Sequence, residues 1–315
     1  MRNNKDMPVY LFTGFLEAGK TTFIRDLLVK DYFKIDGRTL LIACEEGSVE
    51  YDEEELMSAN TELFYIENEK DFNEEYISSL EKKVHPERII IEFNGMWDRK
   101  NIEFPWYWEE ILEVAVFDAS TFKLYSDNLR SLLAEQVRNA GVVLFNRCDA
   151  VREQLGMFTR NIKAINRAVN FVCKGNEGDI ILDPDETLPY DISCEELFLN
   201  DEGFAVFCID SMERYGIYEN KKVHFTARAY KIRDGKEFEF VSGRYVMTCC
   251  EADMSFVGIM CRYFKAYELK NKTWIDVTAV VKIAYDEDLE RCIPICKVME
   301  LEEVPAPQSE VISLI

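Results

Sequence analysis

Short apolar runs alternate with helix-like stretches from residue 7 to about residue 180. The runs are Val9–Phe12, Thr39–Cys44, Glu62–Ile66, Arg88–Glu92, Val114–Phe117, Val142–Phe145 and Asn170–Cys173. Ile89-Ile90-Ile91 and Val142-Val143-Leu144-Phe145 are unbroken, as strands covered on both faces tend to be. Helical periodicity lies between the runs, for example from Leu129 to Arg138. The alternation predicts an α/β fold with a largely parallel sheet, whose ligand site belongs at the carboxyl ends of the strands. The pattern changes near 183–203, where two prolines and many acids mark a boundary. Beyond it come strand-like runs with few helical signals: Lys222–Ile232, Phe238–Thr248, Phe256–Tyr263, Trp274–Ala284 and Ile293–Val298. Five such runs in about one hundred residues suit a small β-barrel of the OB type. An immunoglobulin-like sandwich comes second, because it needs about seven strands. The expected organisation is an α/β domain with a largely parallel sheet over 1–190, a linker over 191–203 and a smaller OB-like all-β domain over 204–315.

One loop carries the strongest chemical signal. Gly14-Phe15-Leu16-Glu17-Ala18-Gly19-Lys20-Thr21-Thr22 follows the first apolar run and precedes the amphipathic stretch that starts at Phe23. It fits G-x-x-x-x-G-K-[ST] in the strand–loop–helix context that a phosphate-binding P-loop needs. Gly14, Glu17, Ala18, Gly19, Lys20, Thr21 and Thr22 would cradle the phosphates. The glycines let backbone N–H groups approach phosphate oxygens, at the N-terminus of a helix. Lys20 would neutralise phosphate charge, and the Thr21 hydroxyl would hold Mg²⁺.

Three further segments complete the candidate site. Glu92-Phe93-Asn94-Gly95 ends a strand, so Glu92 can hold Mg²⁺ or orient the attacking water while Gly95 lets the backbone approach the γ-phosphate. The acidic stretch from Cys44 to Glu55 follows the second strand, where a nucleotide-sensing switch would lie. Most of its charges read as a solvated loop; Glu45 and Asp52 are its candidate catalytic carboxylates, and Asp52 is also a candidate Mg²⁺ ligand. Asn146-Arg147-Cys148-Asp149 is a variant of the guanine-reading Asn-Lys-x-Asp motif. A carboxylate at Asp149 can accept from both N–H donors on the guanine edge, which adenine lacks. Asn146 would brace the loop, and Arg147 stands where lysine is usual.

Charge and composition narrow the partners. The formal net charge of −22 argues against a sequence-independent grip on nucleic acid. No apolar run reaches the roughly 18 residues of a membrane span, and Met1 to Met7 does not read as a signal peptide. The expected location is the cytosol, where the ten cysteines would stay reduced.

Residues 7 to about 180 resemble the CobW-type GTPases, relatives of UreG and HypB. The resemblance rests on Gly14–Thr22, Glu45-x-Gly47-x-Val49-x-x-Asp52, Glu92-x-x-Gly95, Phe117-Asp118-Ala119, Gln136-Val137, Asn146–Asp149 and Ile162-x-x-Ile165-Asn166. It implies slow GTP hydrolysis, with GTP and GDP as ligands, coupled to handing a metal, often zinc, to a protein client. The chain departs from that family in three places. The usual Cys-x-Cys-Cys site is missing, since no cysteine lies between Cys44 and Cys148. Cys44 stands where the family favours Asn, and Glu46 where it favours an aromatic. The second half, about 204–300, is similar to YcgQ-like proteins through Gly243-Arg244-Tyr245-Val246-Met247-Thr248-Cys249-Cys250-Glu251-Ala252-Asp253, Gly258 and Trp274-Ile275-Asp276-Val277-Thr278. That resemblance implies a link to metal homeostasis and a membrane permease. Cys249, Cys250 and Asp253 are candidate Zn²⁺ ligands, with Cys261 or His224 available to complete the site. A metalloprotein or permease component is the candidate client, and a homodimer the candidate assembly. The alternative function is a nucleotide-gated accessory protein of a metal transport system that hydrolyses little; a P-loop kinase is a further rival.

Overall fold

A computed structural model describes residues 7–185, 187–232, 237–247, 254–287 and 289–313. The chain divides into two compact units, Met1–Phe158 with Ile165–Ile181, and Thr159–Ala164 with Leu182–Ile315. The elements, in chain order, are β1 (Val9–Thr13), α1 (Lys20–Leu28), β2 (Thr39–Ala43), α2 (Glu53–Ser58), β3 (Thr61–Tyr65), α3 (Glu74–Val84), β4 (Arg88–Glu92), β5 (Ile111–Asp118), α4 (Ala119–Asn128), α5 (Arg130–Arg138), β6 (Val142–Asn146), α6 (Leu155–Ile165), β7 (Asn170–Gly175) and β8 (Gly178–Ile180). There follow β9 (Glu196–Phe198), α7 (Asp201–Glu213), β10 (Lys222–Lys231), β11 (Glu239–Met247), β12 (Met254–Arg262), β13 (Trp274–Asp286), β14 (Arg291–Glu303) and β15 (Val311–Ser313).

The first unit is a P-loop sheet ordered β3-β2-β4-β1-β5-β6-β7-β8. Every pairing is parallel except the β7–β8 hairpin. Every residue of β2 and β4 is buried, which accounts for their unbroken apolar runs. Helices cover both faces because parallel strands need crossover connections. Strand β5 begins three residues earlier than its apolar run. Glu113 lies inside it, 8% exposed, because Arg99 grips both carboxylate oxygens at 2.5 and 3.0 Å. Without that partner the charge would resist burial.

The second unit is a closed β-sheet. Its order, β15-β11-β12-β14-β13-β10-β9, is joined end to end by an additional β11–β10 pairing, so β10, β11, β12, β14 and β13 form a ring. Within the ring β12 and β14 run parallel and the other pairs antiparallel. The alternation expected of such strands is clear in β10, where Val223, Phe225, Ala227 and Ala229 point inward. Short strands β9 and β15 add in parallel to β10 and β11. Helix α7 lacks a sequence signal of 3.6 periodicity because it is apolar on most sides. Phe204, Ala205, Phe207 and Cys208 all join the core of this unit. Each buried phenylalanine contributes about 1.5–3 kcal/mol of apolar burial. Asn200 caps the helix by accepting from Gly203 N at 2.7 Å.

Candidate functional site

The chemistry of the first unit gathers at the carboxyl ends of its parallel strands. Gly14 follows β1, Glu45 lies two residues past β2, and Glu92, Asp118 and Asn146 end β4, β5 and β6. Close backbone packing sets the P-loop in place. A Cβ at Gly14, where φ is 137°, would lie 2.0 Å from the Val116 carbonyl oxygen. A Cβ at Gly95 would lie 2.1 Å from the Gly14 carbonyl oxygen. Only glycine fits either position. Gln136, 6% exposed, donates to the Gly95 carbonyl at 2.8 Å and supports that approach from α5. Gly19 precedes α1, whose first-turn amides have no intrahelical acceptor.

The candidate side chains already hold one another. Lys20 is 2% exposed. Its ammonium donates to the Gly14 and Phe15 carbonyls at 2.8 and 2.9 Å and pairs with Glu45. Burial pushes the Glu45 carboxyl above its ordinary range, and Lys20 opposes that rise. Thr21 Oγ1 donates to Glu92 Oε1 at 2.6 Å, and the Tyr51 hydroxyl donates to Glu92 Oε2 at 2.6 Å. Burial, reinforced by Glu92, pushes the Tyr51 phenol well up, so it stays a proton donor. Glu17 accepts from the Ser48 amide at 2.9 Å and hydroxyl at 2.6 Å; the Ser48 hydroxyl contributes most to holding its carboxyl low. Asp52 caps α2, accepting from Glu54 N and Glu55 N at 2.9 and 3.0 Å.

The second cluster ties the β6 loop to the P-loop. Asn146 Nδ2 donates to the Ala18 carbonyl at 2.9 Å. Arg147, left-handed at φ 55°, donates to the Glu17 carbonyl at 3.1 Å and pairs with Asp118. Asp149 accepts from Asn176 N at 2.8 Å. Lys20 thus meets Glu45 and Thr21 meets Glu92, while Asn146 meets Ala18 and Arg147 meets Glu17. Thr22 is exposed on α1.

Sequence reasoning passed over Tyr51 and Ser48. Both sit in the acidic stretch read as mostly solvated, and only the aromatic ring of Tyr51 among those charges hints at a buried role. The candidate Zn²⁺ ligands Cys249, Cys250 and Asp253 lie outside the described residues. Their suggested helpers are engaged elsewhere. Cys261 is buried, with its thiol 3.1 Å from Ser242 Oγ. His224 contacts Glu196 at 2.5 Å and Thr278 at 2.9 Å. Among the described residues no three His, Cys, Asp or Glu side chains converge as a metal site. No helix among them is long and apolar enough to cross a membrane.

The CobW/HypB/UreG nucleotide-binding domain matches residues 8–173. The DUF1980 C-terminal domain matches residues 183–312, which gives a broader label to the YcgQ-like resemblance. No curated protein matches the chain. Among solved structures, the hydrogenase maturation factor HypB from Archaeoglobus fulgidus is 15% identical, covering 55% of this chain and 87% of its own, with a TM-score of 0.40. The Zn(II)-bound YjiA GTPase from E. coli is 18% identical, covering 80% and 89%, at 0.39. HypB from Helicobacter pylori in complex with nickel is 13% identical, covering 58% and 83%, at 0.38.

Proposed function

This chain belongs to the CobW/HypB/UreG nucleotide-binding family, and from that premise we propose that it is a Mg²⁺-dependent, guanine-selective GTPase of the metallochaperone type. The observation that carries the reading is the convergence of Glu92 and Asn146, from two separate strand ends, on the one loop that carries Lys20 and Thr21. Thr21 and Glu92 present a hydroxyl and a carboxylate 2.6 Å apart. Such an all-oxygen donor set fits a hard cation and not a thiophilic one. Mg²⁺ held there would neutralise charge on the β- and γ-phosphates.

The chain's own groups do the rest. Lys20 turns from the Gly14 and Phe15 carbonyls and Glu45 to the phosphate oxygens. Glu45, released from Lys20, orients the attacking water, and Asp52, seven positions on at the N-cap of α2, is the second carboxylate offered to water or metal. Gly14, Glu17, Ala18, Gly19, Thr22 and Gly95 shape the phosphate cradle. Asp149 accepts from the guanine edge in place of Asn176 N, Arg147 covers the base, and Asn146 keeps the two loops together. The second unit is proposed as an OB-type barrel, supported by its closed order β10-β11-β12-β14-β13 and by the parallel β12–β14 pair. Its β11–β12 connection carries Cys249, Cys250 and Asp253, proposed to take Zn²⁺ for a metalloprotein or permease client.

Single-turnover GTP hydrolysis with and without Mg²⁺ tests the enzyme; no phosphate release in either condition would remove it. Elemental analysis of the parent, Cys249→Ala and Cys250→Ala tests the metal, and equal zinc in all three would reduce the thiols to packing. The second reading, a nucleotide-gated protein with little hydrolysis, is favoured by one observation. Both Glu92 oxygens and the Lys20 ammonium are already occupied by the chain's own groups.

A further inference from the structure

Helix α5 buries Leu133, Ala134 and Val137, and beside these apolar side chains it buries Gln136, 6% exposed. The Gln136 amide is only half used. Nε2 donates to the Gly95 carbonyl at 2.8 Å, while Oε1 is buried with no partner among the described residues. An unpartnered buried acceptor carries a desolvation cost that leucine or methionine would avoid, so packing alone does not explain the residue. The half in use meets the turn that leaves β4. A Cβ on Gly95 would come within 2.1 Å of the Gly14 carbonyl oxygen and 2.9 Å of Gln136 Nε2, so the Gly95 backbone is enclosed between the P-loop and α5. The peptide from Gly95 to Met96 is held on both sides: Gln136 takes its carbonyl, and Asn94 Oδ1 accepts from its N–H at 3.0 Å. In the peptide before it, the Asn94 carbonyl accepts from Trp97 N at 3.1 Å. The amides of Phe93 and Asn94 go to the Phe12 carbonyl and the Cys44 thiol. The Gly95 amide has no acceptor among the described residues. The support behind this arrangement is itself tied down. Asn166 Nδ2 donates to the Val137 and Ala140 carbonyls at 3.0 and 2.8 Å, at the end of α5 that carries Gln136.

We propose that Gln136 is a positioning residue that fixes the Gly95 backbone so that its unbonded amide meets the γ-phosphate, and that it thereby sets the preference for GTP over GDP. This rests on the GTPase reading and adds what tells the two nucleotides apart. Gln136 touches no phosphate. It holds the carbonyl on one side of the Gly95 Cα while Trp97 holds the peptide on the other, so the Gly95 amide keeps one orientation. GDP ends at the β-phosphate, which the P-loop amides and Lys20 cradle, so its binding does not draw on Gln136.

The test uses the full chain with Mg²⁺ and two fluorescent analogues, mant-GTP, read before turnover, and mant-GDP. Gln136→Met keeps the length of the side chain and removes the donor. Its affinity for mant-GTP should fall roughly tenfold, about 1.4 kcal/mol, while its affinity for mant-GDP changes less than about twofold. A merely structural glutamine would weaken both alike, and that outcome, or an unchanged ratio of the two affinities, overturns the proposal. Gln136→Leu, which also lacks the donor, should repeat the selective loss. If neither variant binds mant-GDP, the amide is a requirement of the fold and the proposal is again overturned. The parent separates this proposal from the reading beneath it. A parent that binds neither nucleotide removes the GTPase reading, whereas one that binds both equally tightly keeps the nucleotide site and removes only the role given to Gln136.

Discussion

Lys20 and Arg244 are both buried cations, one in each unit, and they are held in opposite ways. Lys20 has a compact ammonium at the end of a flexible stem, pointed at two backbone carbonyls and Glu45. On the proposed reading, phosphate oxygens take the place of these partners. Arg244 is 1% exposed and is fixed on three sides. It forks onto Asp201 in the first turn of α7, donates to the Ser309 carbonyl at 2.7 Å, and lies 5.2 Å from the centre of the Trp274 ring. A planar fork stacked on an indole is suited to staying put. On the proposed reading, the difference separates a cation held ready for a ligand from a cation used as a rivet between β11, α7 and the chain before β15.

The strongest way to break the comparison is to remove the rivet. Arg244→Ala should cost the second unit about 3 kcal/mol in denaturant unfolding and leave nucleotide affinity unchanged; a loss of mant-GTP binding would mean the two cations are not separable in role. Next comes Lys20→Ala, expected to weaken mant-GTP binding roughly 30-fold through a lost charge-assisted contact, with unfolding free energy shifted by less than about 1 kcal/mol. A larger stability loss would make Lys20 a rivet as well. Glu45→Gln sharpens the contrast in the other direction. With the competing carboxylate gone, nucleotide affinity should rise roughly threefold, a difference of about 0.6 kcal/mol, while single-turnover hydrolysis slows.

The smallest effect concerns a buried charge with neither role. Glu81 accepts from Tyr107 OH at 3.0 Å and Trp108 Nε1 at 2.9 Å, yet burial still raises its carboxyl above the ordinary 4.5. A raised carboxyl stabilises the fold below its unfolded value, and that contribution is lost as pH rises through the folded value. Glu81→Gln should therefore flatten the fall in stability just above pH 4.5, by less than about 1 kcal/mol, in thermal melts taken across that window. An unchanged slope would assign the fall to other groups.

The two units were also unequally legible. Strands β2 and β4 announce themselves as unbroken apolar runs because both faces are covered, and the P-loop announces itself because its backbone demands glycine at fixed spacing. The start of β5 was hidden by Glu113, whose neutralising partner Arg99 lies fourteen positions away in the chain. Helix α7 was hidden by being apolar on most sides, which erases the period by which helices are recognised. Strands β9 and β15 are three residues long, too short for an alternation to register. In the candidate site the motif residues could be named in advance, but not their present partners. Asp52 carries the charge expected of a cation ligand and spends it on the amides of α2. Tyr51 reaches Glu92 only because β2, α2 and β4 bring residues 41 positions apart together.

The back-to-back contact of Gly14 and Gly95 has a mechanical consequence. Two backbones that would touch at 2.1 Å if one carried a methyl group leave no room to hinge. The chain leaving β4 meets the P-loop backbone to backbone, and Gln136 donates to the Gly95 carbonyl from the other side. That exit is held by main chain, where a substitution has nowhere to go. Residues 45–52 are held instead by side chains, at Glu45, Ser48 and Tyr51.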